Sequence, residues 1–509
     1  LLQINHLTIT HRRDLRTVLD DFNFVLNPGD RAVIVGEEGN GKSTLLKWIF
    51  DPALIASYAD AEGTRATRGE AMGYLPQELP AADKEKTVYD FFSEREAFQS
   101  ASPRTLASLA NRLGLDDSAW YAPQPMATLS GGEKVKLQMA ALLLAEPDIL
   151  LLDEPSNDVD VETLEWMEEL IAGWRGGVLF ISHDETLIER TANRVVLLEQ
   201  LRRKTASRWT VANMPFRQFM AERAALFDKQ AQLAGSERRE EKKALEKFRR
   251  IQQSVERAQE NISRADPAGG RLLKKKMASV KAMEKRYARE HEDMTAYPEA
   301  EAPILIRFHD LPRLPAGKTV LDCALPELRC GERVLARNVA LRVRGPEKVG
   351  ITGKNGAGKT TLLRAVHKML RPRDDLRVFY MPQDYEELLD LDETPLDCLV
   401  PSGDREALTT ARTYLGSLRY TAEEMFRPAR GLSGGQKAKL LLLKLSLSET
   451  NVLLLDEPTR NFSPLSGPEI RALLRGFPGA IISVSHDRRY LAEVCDTVYR
   501  LTEDGLVLQ

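Results

Sequence analysis

Cysteine is scarce in this chain, and its apolar runs are short. Only four cysteines occur in 509 residues: Cys323, Cys330, Cys398 and Cys495. Cys323 and Cys330 are near each other, but no His or second Cys pair completes a zinc or iron–sulfur pattern. Isolated thiols in a reducing compartment are expected, not a disulfide framework. No apolar stretch approaches the ~18 residues that a membrane-spanning helix needs. The best run, Met139 to Leu152, is broken by Glu146, Pro147 and Asp148. The N-terminal residues lack the basic-then-apolar pattern of a secretion signal. The expected location is the cytoplasm.

What is present is a globular composition, 43% apolar and 29% charged, too long for one core and suited to two or three domains. The net charge of −3 hides an asymmetry. Residues 201–293 carry 24 Lys and Arg against 13 Asp and Glu, a balance of +11, which leaves −14 for the rest. From Pro215 to Gln259 the segment is rich in Ala, Glu, Lys, Arg, Gln and Leu, a strong helix composition. Pro267, Gly269 and Gly270 then predict a turn, and helical composition resumes from Arg271 to about Thr295. The expected form is a helical hairpin, with Gly235 and Ser236 able to bend or interrupt its first arm. A tether would more naturally be Gly/Ser-rich. A stiff basic arm is built to reach an acidic partner.

The flanking halves share one series of motifs in the same order, about 315 residues apart. The first copy has Gly36-Glu-Glu-Gly39-Asn-Gly41-Lys42-Ser43-Thr44, then Leu-Ser130-Gly131-Gly132-Glu133, then Leu-Leu-Leu-Asp153-Glu154-Pro, then Ser-His183-Asp. The second has Gly353-Lys-Asn-Gly356-Ala-Gly358-Lys359-Thr360-Thr361, Leu-Ser433-Gly434-Gly435-Gln436, Leu-Leu-Leu-Asp456-Glu457-Pro and Ser-His486-Asp. Short apolar runs feed these motifs: 31–35, 149–152 and 178–181 in one half, 348–352, 452–455 and 480–484 in the other. Such runs suit strands buried on both faces of a mostly parallel sheet, and the polar periodic stretches between them suit helices. The fold class is α/β, as two nucleotide-binding domains joined by a helical hairpin. The expected boundaries are 1–200, 201–301 and 302–509, with the hairpin tip near 262–272.

Each Gly-rich loop matches G-x-x-x-x-G-K-[ST]. Glycines let the backbone wrap a phosphate with its N–H groups pointing inward, at a helix N-terminus whose dipole favours the anion. Lys42 and Lys359 reach the terminal phosphates, and Ser43 and Thr360 offer a hydroxyl to Mg²⁺. Asp153 and Asp456, at strand ends, suit the metal's carboxylate. Glu154 and Glu457 are placed to polarise an attacking water. Gln77 and Gln383, in matching Leu/Met-Pro-Gln frames, are candidates to sense the γ-phosphate and metal. His183 and His486 are candidates to contact the γ-phosphate.

The order of motifs, Leu-Ser-Gly-Gly-[Glu/Gln] above all, resembles the ATP-binding-cassette ATPases. The resemblance implies that each Ser-Gly-Gly closes over the ATP of the opposite cassette. Ser433, Gly434, Gly435 and Gln436 would face the nucleotide on Lys42, and Ser130, Gly131, Gly132 and Glu133 the one on Lys359. ATP would bind the halves together and hydrolysis release them. The second cassette departs from the pattern: Thr459-Arg-Asn-Phe-Ser-Pro-Leu-Ser466 has no Asp where the first cassette has Asp160, so the two sites are expected to be inequivalent.

Tandem cassettes around a basic hairpin resemble the ABC-F family over the whole chain. That implies a monomer that binds the 70S ribosome near the tRNA exit site. Its hairpin would reach 23S rRNA, the P-site tRNA and the peptidyl-transferase centre. The loop 457–466 is similar to that of the antibiotic-resistance members, which protect against lincosamides, pleuromutilins and streptogramin A. No sizeable extra arm between Ser43 and Gln77 suits that branch. Arg264, Arg271, Leu272, Lys274, Lys275 and Lys276 are the candidate RNA contacts near the tip. Three alternatives stay open: a housekeeping translation factor of the same family, the tandem ATPase subunit of an importer, and a structural or DNA-associated cassette ATPase. The importer subunit should lack the basic hairpin, and the last would carry longer coiled coils or a zinc insertion.

Overall fold

The computed structural model describes residues 1–157, 159–201, 206–260, 272, 274–279, 282, 308, 313–400, 403–418 and 420–509. These fall into two compact units. One joins Leu1–Phe216 to Glu301–Gln509, and the other is Arg217–Ala300.

The first unit holds two six-stranded sheets of matching topology. In the first cassette the strands are β1 (Arg31–Val35), β2 (Met72–Leu75), β3 (Ile149–Asp153), β4 (Gly177–Ile181), β5 (Arg194–Leu201) and β6 (Ala206–Ala212). Their spatial order is β2-β3-β4-β1-β5-β6. All neighbours are parallel except the β5–β6 edge pair. In the second cassette β7 (Lys348–Thr352), β8 (Val378–Met381), β9 (Val452–Asp456), β10 (Ala480–Val484), β11 (Thr497–Thr502) and β12 (Gly505–Leu508) repeat it as β8-β9-β10-β7-β11-β12. The expected strands are present. β3, β4, β9 and β10 are buried at every position, as strands covered on both faces must be.

Each sheet positions its motifs by the same rule. A central strand ends in the Gly-rich loop, which opens α1 (Lys42–Phe50) in one cassette and, in the other, the helix Lys359–Leu370. Gly41 and Gly358, before those helices, have φ of 87° and 97°, where a side chain would be strained. The strand beside it ends in Ser-His-Asp, and the one beyond that in Asp-Glu. Crossover loops of a parallel sheet gather at the carboxyl ends of the strands.

The second unit contains, from Arg217 onward, α3 (Phe216–Glu260), numbered after the signature helix α2 (Gly131–Leu144). Its 45 residues run through Gly235 and Ser236 without interruption. Single Gly and Ser costs of ~1 kcal/mol or less are small beside the propensity of so many Ala, Glu, Lys and Arg neighbours. At ~1.5 Å per residue α3 is about 67 Å long. Leu272, Lys274–Ser279 and Ala282 are also helical. The expected turn at 263–270, with Arg264, lies outside the described residues, as does Arg271. Among the described residues no helix is long and apolar enough to cross a membrane.

Two candidate nucleotide sites between the cassettes

Local sequence builds the Ser-Gly-Gly motifs as helix starts. Ser130 Oγ accepts from the Glu133 N–H at 3.3 Å, and Glu133 Oε2 accepts from the Ser130 N–H at 2.9 Å, a reciprocal cap on α2. Ser433 and Gln436 do the same for α5 (Gly434–Leu447), at 3.3 and 3.0 Å; α4 is the helix Lys359–Leu370. Glu133 and Gln436 therefore turn back onto their own helices, which leaves Gly131 and Gly434 half-buried at the helix start while Gly132 and Gly435 are buried.

The Gly-rich loops are alike. Lys42 Nζ donates to the Gly36 and Glu37 carbonyls at 2.8 and 3.1 Å, and Lys359 Nζ to those of Gly353 and Lys354 at 2.9 and 3.0 Å. Both ammonium groups thus lie inside their loops, poised for an anion. Ser43 Oγ donates to Asp153 Oδ1 at 2.9 Å, and Thr360 bonds Asp456 in the same way. Asp153 is pushed up to about 6, by burial first and with Glu154 adding to it. Asp456 is also raised by burial, and its Oδ2 is buried without a hydrogen-bond partner among the described residues. A hydroxyl beside a carboxylate with a spare buried oxygen fits a hard divalent cation that takes only one or two protein ligands. Thr44 is buried behind the first loop.

Glu154 and Glu457 both sit at φ 51°, a left-handed conformation rare for a residue with a Cβ. The Glu154 N–H donates to Ile181 O at 3.1 Å, and the Glu457 N–H to Val484 O at 2.9 Å, so the strand ending in Ser-His holds the strained turn. Beyond this the sites differ. His183 Nε2 lies 3.0 Å from Glu154 Oε1, whereas His486 Nε2 lies 3.9 Å from Glu457 Oε1. Burial works to lower His183, but Glu154 outweighs it and the ring is raised; burial and Lys359 push His486 down to about 4. Glu457 is pushed up to about 8 by burial and by Asp456.

The motifs meet across the cassettes. A cleft of about 1470 Å³ is lined on one side by Ser130, Gly131 and Glu133 and on the other by Gly356, Gly358, Lys359, Thr360 and Thr361. Gln77, Gln383, His183, Asp456, Glu457 and His486 reach the same cleft. Gly132 packs behind it on Thr163. At the other site Gly434 and Gly435 lie on the first loop, where the Gly435 N–H donates to Glu38 Oε2 at 2.6 Å. Leu272, Lys274, Lys275 and Lys276 are exposed residues of the other unit.

Sequence reasoning passed over several residues at this boundary. Glu37 Oε2 pairs with Lys439 at 2.6 Å, and its Oε1 accepts from Ser463 and Ser466 at 2.5 and 2.7 Å. The second-cassette loop that lacks an Asp instead supplies hydroxyls to an acid in the first Gly-rich loop. In the first cassette Asp160 caps its helix through Thr163 at 3.0 Å. His183 Nδ1 contacts Phe462 O at 2.7 Å, tying the His183–Glu154 pair to that same loop. The available signal was two acids inside an anion-binding loop.

Residues 19–157 and 336–460 match the family described as ABC transporter. The chain belongs to that family, as a tandem-cassette ATPase of the ABC-F group. It is 29% identical to the tylosin resistance ATP-binding protein TlrC of Streptomyces fradiae, over 94% of each chain. It is 25% identical to the ribosome protection protein VmlR of Bacillus subtilis, over 97% of this chain and 86% of that one. It is 26% identical to the probable ATP-binding protein YheS of Escherichia coli strain K12, over 96% and 77%. Among solved structures, the archaeal ribosome recycling factor aABCE1, in complex with the stalk protein aP1, has the same fold. There the TM-score is 0.59 and the identity 16%, over 98% of this chain and 89% of that one.

Proposed function

We propose that this ATPase is a cytoplasmic, ribosome-binding protein that acts on 23S rRNA and the P-site tRNA near the peptidyl-transferase centre and protects the ribosome from antibiotics of the lincosamide, pleuromutilin and streptogramin A type. The observation that carries the reading is the basic segment 201–293, with its +11 balance, of which the single helix α3 forms about half the length and holds +3. A stiff cationic helix is suited to a phosphate-rich partner and binds it in a salt-dependent way. The relatives VmlR, a ribosome protection protein, and TlrC, a tylosin resistance protein, support the same reading. Ser43, Thr360, Asp153 and Asp456, with Gln77 and Gln383, are the residues to hold Mg²⁺, which supplies charge neutralisation for the phosphates. Glu154 and Glu457 orient the attacking water, and the cassettes work on each other within one monomer.

The test is sucrose-gradient sedimentation of the Glu154→Gln/Glu457→Gln variant with ATP at two salt concentrations. Co-migration with 70S particles that weakens with salt is expected. Absence from ribosomes with ATP present would sink the reading, and recovery with membranes would favour an importer subunit. A second reading, a translation factor with no role in drug protection, is supported by the comparable similarity to YheS. Drug-inhibited translation with and without the protein separates the two.

A further inference from the structure

The two Gly-rich loops differ where a phosphate approaches. The first has Glu37 and Glu38 at the positions where the second has Lys354 and Asn355. Loops of this kind hold anions by aiming N–H groups and a helix dipole at them. Carboxylates inside one repel that ligand.

The Glu38 carboxylate lies on the N-terminal turn of α5. Its Oε2 accepts the Gly435 N–H at 2.6 Å, and a Cβ built on Gly434 would sit 3.5 Å from its Oε1. The cap already engages the Ser433 and Gln436 N–H groups. Of the two glycine N–H groups that the cap leaves to meet an anion from the opposite cassette, Glu38 takes that of Gly435. Lys42 is fixed on the carbonyls of residues 36 and 37, so a phosphate chain on Lys42 that extended toward α5 would run into this carboxylate. The loop is also anchored. Glu37 is tied to Lys439, Ser463 and Ser466 of the second cassette, and this holds its neighbour Glu38 in place.

We propose that Glu38 is a built-in anion that occupies the terminal-phosphate position at the first site, so that this site takes a nucleoside diphosphate in preference to the triphosphate. Triphosphate-driven opening and closing then belongs mainly to the second site, which carries Lys354 and Asn355, and Glu154 acts only in the minority of turnovers in which the first site holds a triphosphate. A full negative charge ~4 Å from another, at an effective dielectric between water and a protein surface, weakens binding about tenfold or more. Glu38 is thus a specificity-determining residue. The proposal does not depend on the ribosomal reading and stands or falls without it.

The experiment is equilibrium binding to the full chain carrying Lys359→Ala, so that the first site is read alone. The probes are fluorescent ADP and a non-hydrolysable ATP analogue with Mg²⁺. ADP should bind about tenfold more tightly than the analogue. Glu38→Asn, which copies residue 355, should raise analogue affinity about tenfold and change ADP affinity less than about threefold. Glu38→Gln should do the same while keeping the side-chain length, and serves if the Asn variant folds poorly. A Lys42→Ala chain, reading the second site, should prefer the analogue and ignore Glu38→Asn. Equal binding of both probes to the parent first site would overturn the proposal. So would an equal shift of both probes on removal of the Glu38 charge.

Discussion

Arg471 and Glu185 form a two-point ion pair between the cassettes. Nη1 donates to Oε1 at 2.7 Å and Nη2 to Oε2 at 3.1 Å, and both side chains are buried. Arg471 also donates to Glu493 at 2.8 Å. Arg471 is raised, as pairing requires, yet Glu185 is raised too. Its burial outweighs the help from Arg471, so the pair does not fully offset the desolvation of its carboxylate. Removing one partner strands a buried charge. Arg471→Ala should therefore destabilise the protein by about 3–5 kcal/mol. The Arg471→Ala/Glu185→Ala double variant should lose less than the sum of the single changes. Thermal melting reads this, and an unchanged melting point for Arg471→Ala would refute it.

The second site should carry its own pH signature. With its carboxyl pushed up to about 8 by burial and by Asp456, Glu457 is protonated at neutral pH and works as a base only once deprotonated. ATP hydrolysis by a Lys42→Ala chain should rise from pH 6 to 8 and level off above, and Glu457→Gln should abolish that limb. A flat profile would remove Glu457 from the base role. The stability sign is opposite. The folded state keeps a proton that the unfolded chain, with its usual value of 4.5, releases, so this group's contribution to stability is lost as pH climbs from 4.5 to about 8.

Gly36 should tolerate no side chain. Its φ is 153°, and a Cβ there would lie 2.3 Å from the Leu198 carbonyl oxygen on β5. At Gly353 the equivalent approach to Leu501 O is 2.8 Å. Gly36→Ala should cost about 2–4 kcal/mol, and more than Gly353→Ala. The reverse order of melting points would show that the strands yield more easily than backbone-to-backbone contact implies.

Deletion of residues 262–272 addresses the working end proposed for the basic segment. ATPase activity without ribosomes should stay within about twofold of the parent, because no cassette motif is touched. Protection of translation against drug should vanish. A deletion that protected as well as the parent would move the working end elsewhere.

Much of the fold was legible because its signals are local. Short apolar runs such as Ile149–Leu152 suit strands buried on both faces, and the Asp-Glu and Ser-His-Asp that follow them emerge at one edge of a parallel sheet. Ser130 to Glu133 and Ser433 to Gln436 read as helix starts within four residues. The helix composition of 216–260 was also plain. Its passage through Gly235 was not, because a single glycine's cost is outvoted by its neighbours.

The sequence by itself determined the two cassettes, their order of motifs and the residues able to handle phosphate, since that chemistry needs neighbouring residues on one loop. It also marked the loop at 459–466 as unusual. Tertiary structure alone decided what that loop does. Glu37 meets Lys439 and Ser463 from the far end of the chain, and Glu38 meets Gly435. Contacts across so many intervening residues leave no periodicity or spacing to read. They exist only because two separately folded sheets present their strand ends to each other.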